Sequence, residues 1–277
     1  MKKNEVGIFP DYETPPLVEV SCGILFKPLE SLLTPHIGLL WGKFKSEFPD
    51  SQEVPPLIPA IERFGEPTKD STRAEFQILE RPPLPRIWFL QSPANGIIQF
   101  QRDRFLYNWR KIRPEDEYPR YHNVLNNFRN TLNIFEAFLK ETNLGEIEPL
   151  QYELTYFNNI LQGEGWNSTK DIEKIFRYYK WESDSIRFLP HPEDIIWRTS
   201  FDLPDNKGRF RVRIQKGKRP EDGRNLIQLE LLVRGIGKDI SKEQMWSWFD
   251  LAHEWIVCGF SDLTTDEIQE QVWRRKK

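Results

Sequence analysis

The fold of this chain is decided by a seven-residue stretch in its second half, RFRVRIQ at residues 209–215. Basic or amide side chains occupy its odd positions, and apolar side chains occupy its even positions. Because successive side chains of a β-strand point to opposite faces, this alternation predicts a strand with one buried face. The cationic side chains expected to share the other face are Arg209, Arg211 and Arg213.

Two similar strands flank this stretch, at residues 195–203 and 226–234. The intervening segments are rich in turn-forming residues, with PDNKG at 204–208 and EDG at 221–223. Short connections of this kind predict antiparallel pairing, so we expect a three-stranded β-meander. A capping box at Ser241 and Gln244 then predicts a helix, and a shorter helix is expected from Thr264.

The first half alternates strands with helices. The hydrophobic pattern predicts a strand at 17–26, a helix from Thr34 to Pro49, a hairpin of strands at 87–90 and 97–109, a helix at 119–145 and a strand at 151–156. One further strand near 74–80 is possible. This βαββαβ order is that of a ferredoxin-like unit. We therefore predict an α+β protein with an antiparallel sheet covered by helices, in which a 1–160 half and a 161–277 half pack as one continuous unit.

Composition excludes several classes of protein. Among 277 residues, 39 are Lys or Arg and 42 are Asp or Glu, a net charge of −3 that differs from that of basic nucleic-acid-binding domains. Two cysteines cannot build a disulfide framework. No apolar stretch approaches the ~18 residues of a membrane span. The expected location is cytoplasmic, with no membrane contact.

The arginine row at 209–213 is the first candidate site. Guanidinium groups on alternate positions of one strand lie about 7 Å apart, which suits phosphates or an acidic partner. The alternative is a solvated sheet face in which these side chains pair with acidic residues of neighbouring strands, such as Asp202 or Glu230.

A second candidate site lies in the run IIQFQRDRFLYNWR at residues 97–110. Amides and guanidinium groups beside an aromatic ring can clamp a planar ligand or a peptide backbone. The alternative is structural: a bend or bulge at residues 102–104, with the amides satisfying buried backbone groups. The residues assigned to this site are Gln99, Gln101, Arg102, Arg104, Asn108, Trp109 and Arg110.

The same run carries a family resemblance. With its QxQxDRF and NWR parts, and with a later segment running from His253-Glu254 through Phe260 to Thr264-Thr265-Asp266, the chain resembles a sporadically distributed bacterial family that is functionally uncharacterised. The resemblance implies a bacterial cytosolic setting and assigns no reaction. Patchy distribution is loosely associated with defence or toxin-linked genes.

Motifs for catalysis are missing. His253 is followed by Val257 where a zinc-protease helix needs a second histidine, and neither a nucleophile elbow nor a phosphate loop is present. We expect no metal and no cofactor. The leading hypothesis is a non-enzymatic regulatory or accessory protein that binds a protein partner. The alternatives are a nucleic-acid or nucleotide-binding protein, and an enzyme whose site is assembled from distant residues.

Overall fold

A computed structural model describes residues 9–62, 84–180, 188–235 and 241–276 of the chain. Within these ranges the protein is α+β, and nine strands form one antiparallel sheet. The strands are β1 (Leu17–Phe26), β2 (Asp50–Val54), β3 (Arg86–Leu90), β4 (Gly96–Gln101), β5 (Arg104–Arg110), β6 (Pro149–Leu161), β7 (Ile196–Asp202), β8 (Arg209–Lys218) and β9 (Asn225–Gly235). Their order across the sheet is β2-β3-β4-β5-β1-β6-β9-β8-β7. The strand considered near 74–80 lies outside the described residues.

The described helices are α1 (Thr34–Phe44), α2 (Tyr121–Glu141), α3 (Lys242–Leu263) and α4 (Asp266–Gln271). Helix α2 packs on β1 and β5, and α3 packs on β6, β8 and β9. The two long helices therefore cover one face of the sheet. A short 3-10 helix lies at Thr169–Lys174.

Aromatic side chains form the core between the sheet and these helices. Phe105 of β5 stacks on Phe135 of α2 with ring centroids 4.8 Å apart, and Phe128 of α2 meets Phe249 of α3 edge-on at 5.4 Å. The apolar side chains of α2 recur at helical spacing and form a buried stripe, in agreement with the hydrophobic pattern that predicts a helix here. The helix is followed by Gly145, whose φ of 102° lies in the region that favours glycine.

The run at residues 97–110 is two strands, so the strand that begins at residue 97 does not continue to 109, and the bend considered at residues 102–104 is present as a turn. A two-residue turn at Arg102 and Asp103 joins β4 to β5. The Asp103 carboxylate accepts hydrogen bonds from Gln101 and Arg104, one on each side of the turn. This local pairing of charge and amide groups stabilises a reversal that the sequence does not mark with glycine or proline.

One sheet runs through both predicted halves. β6 pairs with β1 of the first half on one side and with β9 of the second half on the other. From β1 to β6 the order of elements is β-α-β-β-β-β-α-β, which has two strands more than the predicted βαββαβ order. The ferredoxin-like order therefore stays a prediction.

Residues near the two ends of the described chain also lie together. Tyr12 forms an antiparallel bridge with Arg275, and the Thr14 amide donates to the carbonyl of Trp273 over 3.2 Å. The segment at residues 9–16 is thereby fixed on the helical side of the sheet.

Candidate functional site on the polar sheet face

The face of the sheet opposite α2 and α3 is polar, and it holds most of the predicted site residues. In β8 the even positions 210, 212 and 214 are buried in the core, as predicted. Arg209, Arg211 and Arg213 point to the opposite face, because side chains alternate along the strand. The prediction that these three arginines share one face is confirmed.

Arg209 and Arg211 are already paired with carboxylates of the same chain. Arg209 donates from Nε to Asp202 over 2.7 Å and lies 3.3 Å from Glu62, while Arg211 donates to both carboxylate oxygens of Glu62. The Glu62 side chain is only 4% exposed. The expectation that the arginine row stands open to an external anion is therefore wrong for these two residues, because each already has a carboxylate partner in the same chain.

Arg213 lies beside a second group of alternating charges. Its partner across the sheet is Glu230 of β9, and burial raises the pKa of Glu230 against the opposing effects of Arg213 and Arg234. Arg234 in turn lies 2.7 Å from the carboxylate of Glu153. Arg209, Arg213 and Arg234 thus each lie beside a carboxylate of a neighbouring strand, as the structural alternative for the row predicted.

A stretch of the chain itself, residues 55–62, crosses this face, and we call it the strap. The side-chain amide of Gln101 accepts from the Leu57 amide and donates to the Leu57 carbonyl, both over 3.0 Å. The amide of Gln151 accepts from the Glu62 amide over 2.8 Å and donates to the carbonyl of Ala60 over 2.9 Å. Each glutamine therefore contacts the strap backbone through both a donor and an acceptor, as a neighbouring strand would.

Gln99 and Asn108 belong to a buried chain of side-chain hydrogen bonds that crosses four strands. Arg86 of β3 donates to Gln99 of β4 over 3.2 Å, Gln99 donates to Asn108 of β5 over 2.8 Å, and Asn108 donates to Glu19 of β1. Burial raises the pKa of Glu19, an effect that Asn108 and Arg110 oppose. These two amides satisfy side-chain groups within the sheet, not the buried backbone groups that the structural alternative named.

The remaining predicted residues divide between separate places. Arg104 is buried beside Asp103, and Arg102 donates to the Leu32 carbonyl over 3.3 Å. Arg110 donates to the carbonyl of Ala94. Trp109 lies on the helical side of the sheet, with its ring centroid 5.2 Å from that of Tyr118. The expected group of amides, arginines and an aromatic ring is therefore not one site, since Trp109 alternates to the other face.

The sequence prediction missed Gln151 and Glu62, the two residues that complete the contacts of the strap. Gln151 occupies a polar position of an alternating strand, as Glu153 and Thr155 do, so the pattern gives no signal that distinguishes it. Glu62 lies in a proline-rich connection that gives no signal either. Gln101, Gln151, Arg209 and Arg211 together form the candidate site, which holds an extended peptide by its backbone and by one carboxylate.

Comparisons with known proteins do not identify this chain. No protein-family model matches it, and no curated protein does either, so the family resemblance stays a prediction. In the part of the chain that the structure describes, no cluster of His, Cys, Asp and Glu is arranged to hold a metal ion. The same residues include no helix that is both long enough and apolar enough to cross a membrane.

Proposed function

We propose that this protein binds an extended acidic segment of a protein partner on the polar sheet face. The observation that carries the proposal is the strap, which occupies the face as such a segment would. Gln101 and Gln151 bind its backbone, and Arg209 and Arg211 bind the carboxylate of Glu62. The partner segment takes the place of the strap.

The contacts of the strap suit an exchangeable occupant. Its large apolar side chains are exposed: Ile58 is 85% exposed, and Leu57 and Ile61 are exposed as well. Release of the strap therefore sacrifices little apolar burial, the main source of stability in permanent contacts. Its three prolines, at positions 55, 56 and 59, favour an extended backbone and lower the entropy that binding must overcome.

The charges of the site define what can replace the strap. Loss of Glu62 leaves Arg211 without its carboxylate and leaves Arg209 with Asp202. A competing segment therefore has to bring an acidic side chain to this position, because an unpaired guanidinium in a mostly buried site is unfavourable. Neutral peptides are not expected to compete.

A synthetic peptide with the sequence of residues 55–62, carrying a fluorescent label, tests the proposal by anisotropy. The wild-type strap competes as an intramolecular ligand of high effective concentration, so the peptide should bind weakly. The Glu62→Gln variant weakens the strap, and charged hydrogen bonds of about 1.5–3 kcal/mol predict peptide binding at least about tenfold tighter. Glu53→Gln, at an exposed position of β2, is the matched control and should behave as wild type.

Two results support or overturn this function. A peptide whose glutamate is replaced by glutamine should bind the Glu62→Gln variant about tenfold more weakly than the acidic peptide. Addition of Arg211→Ala should remove that preference. If the folded Glu62→Gln variant binds neither peptide, or binds both equally, the polar face is not a peptide site.

The other functions expected from the sequence stay predictions. Nucleic-acid binding by the arginine row predicts a mobility shift that weakens steeply with salt and disappears when Arg209, Arg211 and Arg213 are replaced by alanine. A regulatory role in a bacterial cytosol, and a link to defence, rest on the resemblance alone. The pairing of Arg209 and Arg211 with Glu62 favours the peptide proposal over the nucleic-acid alternative.

A further inference from the structure

A cavity of about 540 Å³ lies on the other side of the sheet, away from the strap. Tyr156 and Leu231 line it from the sheet, His253 and Val257 line it from α3, and Phe9 lines it from the segment at residues 9–16. Cavities that bind small molecules span roughly 300–1,000 Å³ and combine apolar walls with a few polar groups. This cavity has the size and the lining of such a site.

Three side chains that line the cavity form a chain of hydrogen bonds: Tyr118 before α2, Tyr156 of β6 and His253 of α3. The hydroxyl of Tyr118 lies 3.1 Å from that of Tyr156, which lies 3.0 Å from Nδ1 of His253. The ring of Tyr121 stacks on His253 with centroids 3.9 Å apart and planes 5° apart, and its hydroxyl donates to Asp250. His253 is thereby fixed in position, and the described residues leave its Nε2 without a hydrogen-bond partner.

Three polar groups of the cavity, the imidazole of His253 and the hydroxyls of Tyr118 and Tyr156, are uncharged at neutral pH. Burial lowers the pKa of His253 to about 3, with a further contribution from His122, so its imidazole is neutral. Burial raises the pKa of Tyr118 and of Tyr156, so both keep their protons. A neutral interior of this kind opposes the entry of an ion, which would lose its hydration without gaining a counter-charge.

The charged lining residues that the structure describes neutralise each other. Arg120 donates to Asp11 over 2.7 Å, and both side chains reach solvent. This ion pair therefore adds no net charge to the lining of the cavity. An external anion or cation would have to break it before either residue could serve as a counter-ion.

The hydrogen-bonded chain can present either a donor or an acceptor to a ligand. If Tyr118 donates to Tyr156 and Tyr156 donates to Nδ1, then Nε2 of His253 carries the proton and donates. If Nδ1 donates to Tyr156 and Tyr156 donates to Tyr118, then Nε2 accepts. The same three residues can thus bind a ligand group that accepts a hydrogen bond or one that donates it, provided that the ligand is uncharged.

We propose that the cavity binds an uncharged, planar aromatic molecule whose single hydrogen-bonding group pairs with Nε2 of His253. The aromatic walls supply most of the contact area, and the Tyr118–Tyr156–His253 chain orients the polar group of the ligand. This site is separate from the peptide site, and it does not depend on the function proposed above.

A pair of fluorescent probes that differ in one charge tests the class of ligand. N-phenyl-1-naphthylamine is neutral, aromatic and has one N–H group, and 8-anilinonaphthalene-1-sulfonate is the same molecule with a sulfonate. The full chain should bind the neutral probe with one-to-one stoichiometry and the anionic probe at least about tenfold more weakly, since burial of a charge is unfavourable.

Variants locate the probe in the cavity. Replacement of His253 by phenylalanine, or of Tyr156 by phenylalanine, should weaken the neutral probe about three- to tenfold through a lost hydrogen bond. Tyr152→Phe is the matched control, because Tyr152 lies on the same strand and its hydroxyl has no partner among the described residues. Val257→Trp fills the cavity from the partly exposed side of α3 and should abolish binding. Equal affinity for both probes, or unchanged binding by a folded Val257→Trp variant, would overturn the proposal.

Discussion

Replacement of His253 by phenylalanine should flatten the dependence of stability on pH. Burial holds the pKa of His253 at about 3 in the folded chain, whereas an unfolded chain has a histidine pKa of about 6.5. Between these values the unfolded state binds more protons than the folded state. Folding stability must therefore fall as the pH falls below about 6.5.

The size of this effect follows from the two pKa values. Protonation of His253 in the unfolded chain favours unfolding by about 0.2 kcal/mol at pH 7 and by about 2 kcal/mol at pH 5. Wild-type protein should thus lose about 2 kcal/mol more than the His253→Phe variant over this interval. Phenylalanine keeps the ring that stacks on Tyr121, so the variant should still fold.

Urea unfolding at pH 7 and pH 5, followed by tryptophan fluorescence, measures this difference. Glu19 and Glu230 have raised pKa values and act in the opposite direction, but they are common to both proteins and cancel in the comparison. The charged and titratable groups that surround His253, on its own helix and on the elements packed against it, are Asp250, His122, Arg120, Asp11, Tyr118, Tyr121 and Tyr156. An equal loss of stability in wild type and variant would show that His253 is not held neutral by burial.

Three further substitutions test the packing of the core and the N-cap of α3. Phe105→Ala removes a fully buried ring that stacks on Phe135 and should lower the free energy of unfolding by about 3–5 kcal/mol in urea titrations. Gly259→Ala places a Cβ atom 2.6 Å from the ring of Phe210 and should cost about 1–3 kcal/mol, seen as a lower Tm; an unchanged Tm would contradict the close contact of α3 with β8. Ser241→Ala removes the N-cap of α3 and should cost about 1 kcal/mol, by the same amount at pH 5 and pH 7, which makes it a control for the histidine experiment.

Local periodicity predicted the strands and helices well where it was strong. The alternation at 209–215 placed each side chain on its correct face, and the stripe of α2 identified the residues that pack on the sheet. At 97–110 the sequence leaves both a continuous strand and a bend at residues 102–104 open, because Arg102 and Asp103 form a turn without glycine or proline. Because the turn contains two residues, the odd-numbered side chains of β4 lie on the same face as the even-numbered side chains of β5. Gln99, Gln101 and Asn108 therefore share a face, which they would not do in one continuous strand.

The candidate site could be predicted only in part. Trp109 directly follows Asn108 in a strand, so alternation alone separates their faces, and their assignment to one site conflicted with that rule. The partner of Arg209 and Arg211 was beyond sequence reasoning, because Glu62 lies 147 and 149 positions away. The cavity was equally hidden, since Tyr118, Tyr156 and His253 follow no motif and meet only through the fold.

The pairing of residues 11–14 with residues 273–276 bears on how the protein matures in a cell. Because this pairing fixes one wall of the cavity, a nascent chain has no complete cavity until residues 273–276 have left the ribosome. A ligand that binds only after this closure adds about 2.7 kcal/mol of stability when its concentration is 100 times its Kd. The supply of ligand would then determine how much newly made protein escapes proteolysis.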